Sequence, residues 1–188
     1  GDCAPLIDRP ALTAEISVAA RNGHRLVLMG RDGAGRFSSL KTALEAQDFK
    51  TTPWDLRFVA READVHQVVG GNLGTVLRRM DKAARAEPAA LVLRNLDGCA
   101  GSPEEDGIMG LLRSELQGVH RLRIFFTAAD PAFIGRHFGA QTGAFFKQGV
   151  ILPVGGLTDA EIDALSEVLV APFWEGSARR EAVEAAGR

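Results

Sequence analysis

The run Gly30-Arg31-Asp32-Gly33-Ala34-Gly35-Arg36-Phe37 sets three glycines around a short loop and a cation directly behind the last of them. Glycines at the spacing of Gly30 and Gly35 let backbone N–H groups close around a phosphate, and a helix starting behind them adds its N-terminal dipole. The full phosphate-binding pattern, G-x-x-x-x-G-K-[ST], also asks for a Lys that reaches the phosphates and a hydroxyl that holds Mg²⁺. Arg36 stands at the first of these positions and Phe37 at the second. Arg is a good phosphate ligand, although its planar fork differs in bulk and shape from an ammonium. A phenyl ring cannot ligate a metal, and Ser38 and Ser39 come too late in the chain to replace the hydroxyl directly. The loop keeps the architecture of a phosphate cradle and lacks groups for metal-dependent chemistry. Taken alone, it reads equally well as an ordinary Gly-rich turn between a strand and a helix.

The surrounding elements favour the cradle. Residues 24–29 form a short apolar run that reads as a buried strand, and 37–46 follow with helical spacing, Leu40 and Leu44 on one face. Further strands are expected at 56–60, 90–93, 122–126 and 150–153. Helices are expected at 73–86, closed by Pro88, and at 108–116. Residues 132–138 and the Gly-rich stretch after them read as irregular or weakly helical. Thr158 and Glu161 form a capping box for a helix through Leu169. Strands alternating with helices imply a mostly parallel sheet with helices on both faces, whose ligand sits at the carboxyl ends of the strands. Residues 1–22 read as an N-terminal segment, 23–172 as the core, and 173–188 as a C-terminal helix or the start of a linker.

The chain has 188 residues, 46% hydrophobic and 24% charged, with a formal net charge of −2, which suits one domain with a full core. That charge gives no global basic field, so nucleic acid is not an expected partner. No apolar run reaches membrane-spanning length and no signal-peptide pattern opens the chain, so a cytoplasmic setting without membrane contact is expected. Cys3 and Cys99 have no zinc-type spacing, and His24, His66, His120 and His137 are scattered, so no metal site is expected.

With these elements in place, residues 24–170 resemble the classical AAA branch of the AAA+ P-loop ATPases. The longest match runs from Val69-Gly70 through Ala83, Pro88-Ala89 and Leu91-Val92-Leu93 to Leu96 and Asp97. The resemblance implies an α/β, three-layer αβα P-loop NTPase fold with a five-stranded, mostly parallel sheet. It puts Arg94 and Asn95 where the family has its Walker B Asp and Glu, which hold the Mg²⁺ shell and polarise the attacking water. Thr127-Ala128 stands at the sensor 1 pair, where Ala128 cannot orient a water. Asp130 to Phe138 is similar to a family segment carrying arginines that act in trans, which makes Arg136 the candidate for that role. Val68 stands where many members carry an aromatic pore residue, so polypeptide threading is not implied.

The vestigial nucleotide site is therefore Gly30, Gly33, Gly35, Arg36, Phe37 and Ser38, with no catalytic residue. Losses at the Lys, the hydroxyl, both acids and sensor 1 imply a degenerate ATPase domain. It would work by protein contact, in assembly or regulation, beside an active ATPase domain of the same chain or of neighbouring subunits. Two alternatives stay open. One is a nucleotide sensor that binds ATP or ADP weakly without Mg²⁺. The other is an active ATPase of unconventional design that draws on Glu62, Asp64, Glu104, Glu105 or Asp106.

Overall fold

The computed structural model describes residues 9–145 and 147–154. In chain order these form α1 (Arg9–Asn22), β1 (Leu26–Met29), α2 (Arg36–Glu45), β2 (Lys50–Asp55), α3 (Glu62–Val69), α4 (Leu73–Ala83), β3 (Ala89–Arg94), α5 (Glu105–Leu116), β4 (Arg123–Ala128), α6 (Pro131–Ile134) and β5 (Val150–Pro153). A 3₁₀ turn, Leu96–Cys99, follows β3, and a π turn, Gly135–Gly139, follows α6.

All five strands are parallel, in the order β2-β3-β4-β1-β5. The inner strands are apolar at every position because helices cover both faces of the sheet. Leu26 and Leu28 join Ala90, Val92, Phe125 and Leu152 in a core beneath α1 and α2. Val27 and Met29 turn the other way and pack with Leu91, Leu93, Ile124 and Phe126 beneath α3, α4 and α5. The fold is α/β with three layers, as expected.

One strand differs from the sequence reading, and helices stand where that reading gave no element, as in α3, or only a weak one. The second strand is Lys50–Asp55, ahead of the expected 56–60. It is an edge strand paired with β3 alone, so it need not be apolar on both sides and tolerates Pro53, whose missing N–H interrupts no ladder on the open edge. Leu56 and Val59 are buried from the loop that follows, whereas Phe58 is 89% exposed. Residues 9–22, assigned to an N-terminal segment, form α1, which buries Leu12, Ile16, Ala19 and Ala20 on one stripe. The weak pattern at 132–138 resolves into α6 and the π turn, fastened by Phe138 and Phe145 packing edge-on against Phe126, at 5.7 and 5.5 Å between centroids. The helix expected from Thr158 to Leu169 and the segment 173–188 lie outside the described residues. Among the described residues no helix is long and apolar enough to cross a membrane.

Side chains at the amino ends of the strands close the helix ends. Arg25 donates to the Leu116 carbonyl at the end of α5 (2.7 Å), and Arg123 to the Ala20 carbonyl in the last turn of α1 (2.6 Å). Asp81 on α4 accepts from the backbone N–H groups of His120, Arg121 and Leu122 at 3.0, 2.7 and 2.8 Å, aligning the entry to β4. Partial burial works against its charge, but the three donors outweigh that and hold its pKa below the usual aspartate value. The Asp81→Ala variant should lose about 1–2 kcal/mol of stability at neutral pH, since three backbone donors lose a charged acceptor. Because the folded-state pKa is depressed, that contribution is present above the unfolded value and fades as pH falls. Wild-type and variant denaturation midpoints should therefore converge in acid.

Candidate functional site

The loop between β1 and α2 lies at the carboxyl edge of the sheet, where the inner strands end side by side. Gly30 leaves β1 by donating its N–H to the Ala128 carbonyl (3.0 Å), which ties the loop to the end of β4. A Cβ at Gly30 would collide with the Val154 carbonyl, so the close approach of the chain after β5 demands glycine there. Gly33 and Gly35 have φ of 86° and 75°, and Gly35 in this left-handed conformation is the N-cap of α2. The loop thus delivers the first turn of α2, with its unpaired N–H groups, to the sheet edge.

Arg36, the first residue of α2, is buried at 7% exposure. Its Nη2 donates to Asp32 Oδ1 at 2.9 Å across the loop, and its Nη1 has no hydrogen-bond partner. Burial lowers its pKa, and the nearby Asp32 and Asp97 charges work in the opposite direction. Phe37 packs against the core beneath α1 and α2, and the Arg94 guanidinium lies over its ring, 4.3 Å from the centroid. The residues that the resemblance sets at the metal-binding hydroxyl and the metal-binding carboxylate are therefore in contact with each other. A cation–π pair occupies the place where the resemblance puts a divalent cation. Ser38 faces solvent on α2.

Asn95 directly follows β3 in the left-handed conformation, φ 53°, which Asn accepts more readily than most residues. Its backbone N–H donates to Thr127 Oγ1 (3.0 Å), and its Nδ2 donates to Asp55 Oδ1 (2.8 Å). Thr127 and Ala128 are fully buried, so Thr127 serves the β3–β4 junction. Asp55, at the end of β2, also accepts from the Arg57 N–H (3.0 Å). Partial burial raises its pKa, but Asn95, Arg57 and the Arg94 charge outweigh that and hold it below the usual value. Asp97 Oδ2 accepts from the N–H groups of Ala129 and Asp130, at 3.0 and 2.8 Å, and fixes the exit from β4.

The fold thus gathers Gly30, Gly33, Gly35, Arg36, Phe37, Arg94, Asn95, Thr127 and Ala128 at one edge. Arg136 is held elsewhere: half-exposed on the π turn, it donates to Glu105 Oε1 at 2.8 Å, and His137 Nε2 lies 2.8 Å from the same oxygen. Partial burial opposes the Glu105 charge, but Arg136, the Gly101 N–H and His137 bring its pKa down to about 2. Glu105, Asp106 and His137 place ligand-type atoms within 4.8 Å of one another, yet the Arg136 charge already answers Glu105. The other acids of this region serve helix starts. Asp64 accepts from the N–H groups of Ala60 and Arg61, and Glu104 from that of Glu62. Asp32 and Asp55 were not singled out from the sequence. The i, i+4 spacing of Asp32 and Arg36 is the signal that could have found the first.

Phe37 and Arg94, at the positions where the resemblance puts a metal's hydroxyl and carboxylate ligands, offer an aromatic ring and a cation, which do not fit Mg²⁺. The loop fits an anion better, since it presents helix N–H groups and a buried guanidinium edge.

No family model matches the sequence, and no curated protein matches it. Solved structures do. The Walker-type ATPase PABY2304 of Pyrococcus abyssi superposes with a TM-score of 0.61 at 11% identity, over 94% of this chain and 61% of that one. Cdc6p from Pyrobaculum aerophilum gives 0.54 at 18% identity, over 90% and 51%. The ORC1 protein of Aeropyrum pernix, solved in complex with DNA, gives 0.51 at 16% identity, over 92% and 52%. The fold is that of a P-loop ATPase domain. At these identities the likeness extends to architecture alone, and the chain spans between 51% and 61% of the length of these structures.

If the Phe37–Arg94 contact is a bonded pair, the two positions are coupled energetically. A double-mutant cycle on Phe37→Leu and Arg94→Met should give a coupling of about 0.5–2 kcal/mol in denaturant unfolding. Additivity within experimental error would show that ring and guanidinium are merely neighbours.

Proposed function

We propose that this P-loop ATPase-like domain does not hydrolyse nucleotide and acts through protein contact, in assembly or regulation, beside an active ATPase domain of the same chain or of neighbouring subunits. The observation that carries this reading is the Arg94 guanidinium over the Phe37 ring. Phosphoryl transfer in this fold relies on a metal bridging the terminal phosphates and a carboxylate positioning water. Phe37 and Arg94, which the resemblance sets at the metal's ligand positions, form a cation–π pair, and Asn95, which it sets at the second acidic position, uses its amide on Asp55. An amide cannot accept a proton from water, and Ala128 cannot orient one.

The contact part of the reading is supported by Phe58, 89% exposed on the loop after β2. Aromatic side chains are enriched among the residues that anchor protein interfaces. The formal net charge of −2 favours a protein over a nucleic acid as partner. A second reading, a nucleotide sensor without turnover, draws on the unpartnered Nη1 of Arg36. Cytoplasmic placement is proposed on the sequence grounds given above.

The direct test is phosphate release from Mg-ATP by the purified protein, followed over hours. The expected result is no release above a protein-free blank, with Phe58→Glu still folded by circular dichroism and defective in binding a candidate partner domain. Mg²⁺-dependent turnover that scales with protein concentration would contradict the non-hydrolysing reading. A partner whose assembly and activity ignore removal of this domain would contradict the contact reading.

A further inference from the structure

We propose that the loop holds a diphosphate group without a divalent metal, and that Asp32 is a built-in competitor for that place. The proposal rests on the reading of the site as closed to Mg²⁺. The Arg36 side chain is 8% exposed, and its Nη1 has no hydrogen-bond partner. A buried, charged N–H without an acceptor is unfavourable, so this edge of the guanidinium favours an incoming anion. The same guanidinium is turned into the loop, because its Nη2 is bonded at 2.9 Å to Asp32, a residue of the loop itself. Next to it begins α2, ten residues long, with left-handed Gly35 as its N-cap and no side-chain cap for its first N–H groups. A cation, a helix N-terminus and a buried donor without a partner therefore converge on one small volume.

Asp32 gives this site its particular behaviour. Its side chain is 78% exposed, so it can swing into water at little cost. A phosphate oxygen can take Nη2 once Asp32 leaves, and a second oxygen can take Nη1, which is buried from solvent, as the loop yields to the anion. Until then the Asp32 carboxylate repels the entering anion and holds half of its receptor. The Phe37–Arg94 pair sets the metal preference. A Mg²⁺–diphosphate complex would bring a divalent cation towards a guanidinium, whereas the free diphosphate brings only negative charge. Mg²⁺ should therefore weaken binding by sequestering the ligand, the reverse of what a metal-dependent loop requires.

The test is calorimetric titration of the whole protein with inorganic pyrophosphate and with ADP, each in excess EDTA and in excess MgCl₂, using wild type, Asp32→Asn and Arg36→Gln. The expected result is binding in EDTA that weakens with Mg²⁺, tightens roughly two- to fivefold in Asp32→Asn, as removal of an exposed ion pair implies, and is lost in Arg36→Gln. Equal affinities for the two probes would identify free diphosphate as the ligand, and a clear preference for ADP would identify a nucleotide; both support the site. If Arg36→Gln does not fold, Arg36→Lys, which keeps the charge and loses the fork, must still weaken binding. Binding strengthened by Mg²⁺, an affinity unchanged in Asp32→Asn, or no binding in EDTA would each overturn the proposal. Failure to bind leaves the non-hydrolysing reading standing, because that reading is tested by phosphate release. Metal-dependent turnover would overturn both.

Discussion

Strand β3 ends between β2 and β4, and whatever stands at its tip must be accommodated by the start of α2 across the sheet edge. Arg94 is the last residue of that strand, and its register partner on β2 is Asp55. A guanidinium held there needs a partner that can meet a flat, weakly hydrated cation. The Phe37 ring provides that face, while Asp55 and Asn95, bonded to each other, occupy the neighbouring corner. Replacing a carboxylate by Arg94 beside an intact hydroxyl and a bound metal would set like charges together. With Phe37 and Arg94 both present, the edge holds an aromatic–cation contact that offers a metal neither a hydroxyl nor a carboxylate.

The rest of the domain keeps that edge in register. Gly30 binds the end of β4, Asn95 binds Thr127, and Asp97 binds the chain leaving β4, so the tips of three strands are cross-linked by short polar contacts. Beneath them the strands are apolar on both faces and sandwiched between two helical layers. At the opposite edge, Arg25, Arg123 and Asp81 close helix and loop ends. This framework is independent of any ligand. Among the described residues, the unsatisfied demand near the loop is the buried Nη1 of Arg36.

Most of the fold was legible because inner strands of a parallel sheet must be apolar throughout. The inner strands β1, β3 and β4 announce themselves as runs such as Leu91-Val92-Leu93, and β5, at the other edge of the described sheet, is apolar too because Ile151 and Leu152 are buried on opposite faces. Strand β2 was misplaced for the same reason inverted: an edge strand reading Lys50-Thr51-Thr52-Pro53-Trp54-Asp55 carries little apolar signal. Helix α3 buries only Val65 among its own residues, too little to set a period. The site was legible as a list of positions, since a Gly-rich loop and a strand tip have fixed places in this architecture. Its contacts were not. Nothing in one dimension says that Phe37 reaches Arg94, that Asn95 turns to Asp55, or that Glu105 rather than the loop receives Arg136. Those pairings depend on side-chain directions that only the folded sheet edge determines.

The proposed closure of the metal position is best measured with a paramagnetic ion. Mn²⁺ would be added with ADP to isotope-labelled protein, and line broadening of the backbone amides followed residue by residue. The closed arrangement predicts no broadening centred on residues 30–39 and 94–97 beyond that caused by the same Mn²⁺ at exposed carboxylates elsewhere. Selective loss of the Gly35, Phe37 and Asn95 signals at low Mn²⁺ would place a metal between the loop and β3, and would contradict the closed site.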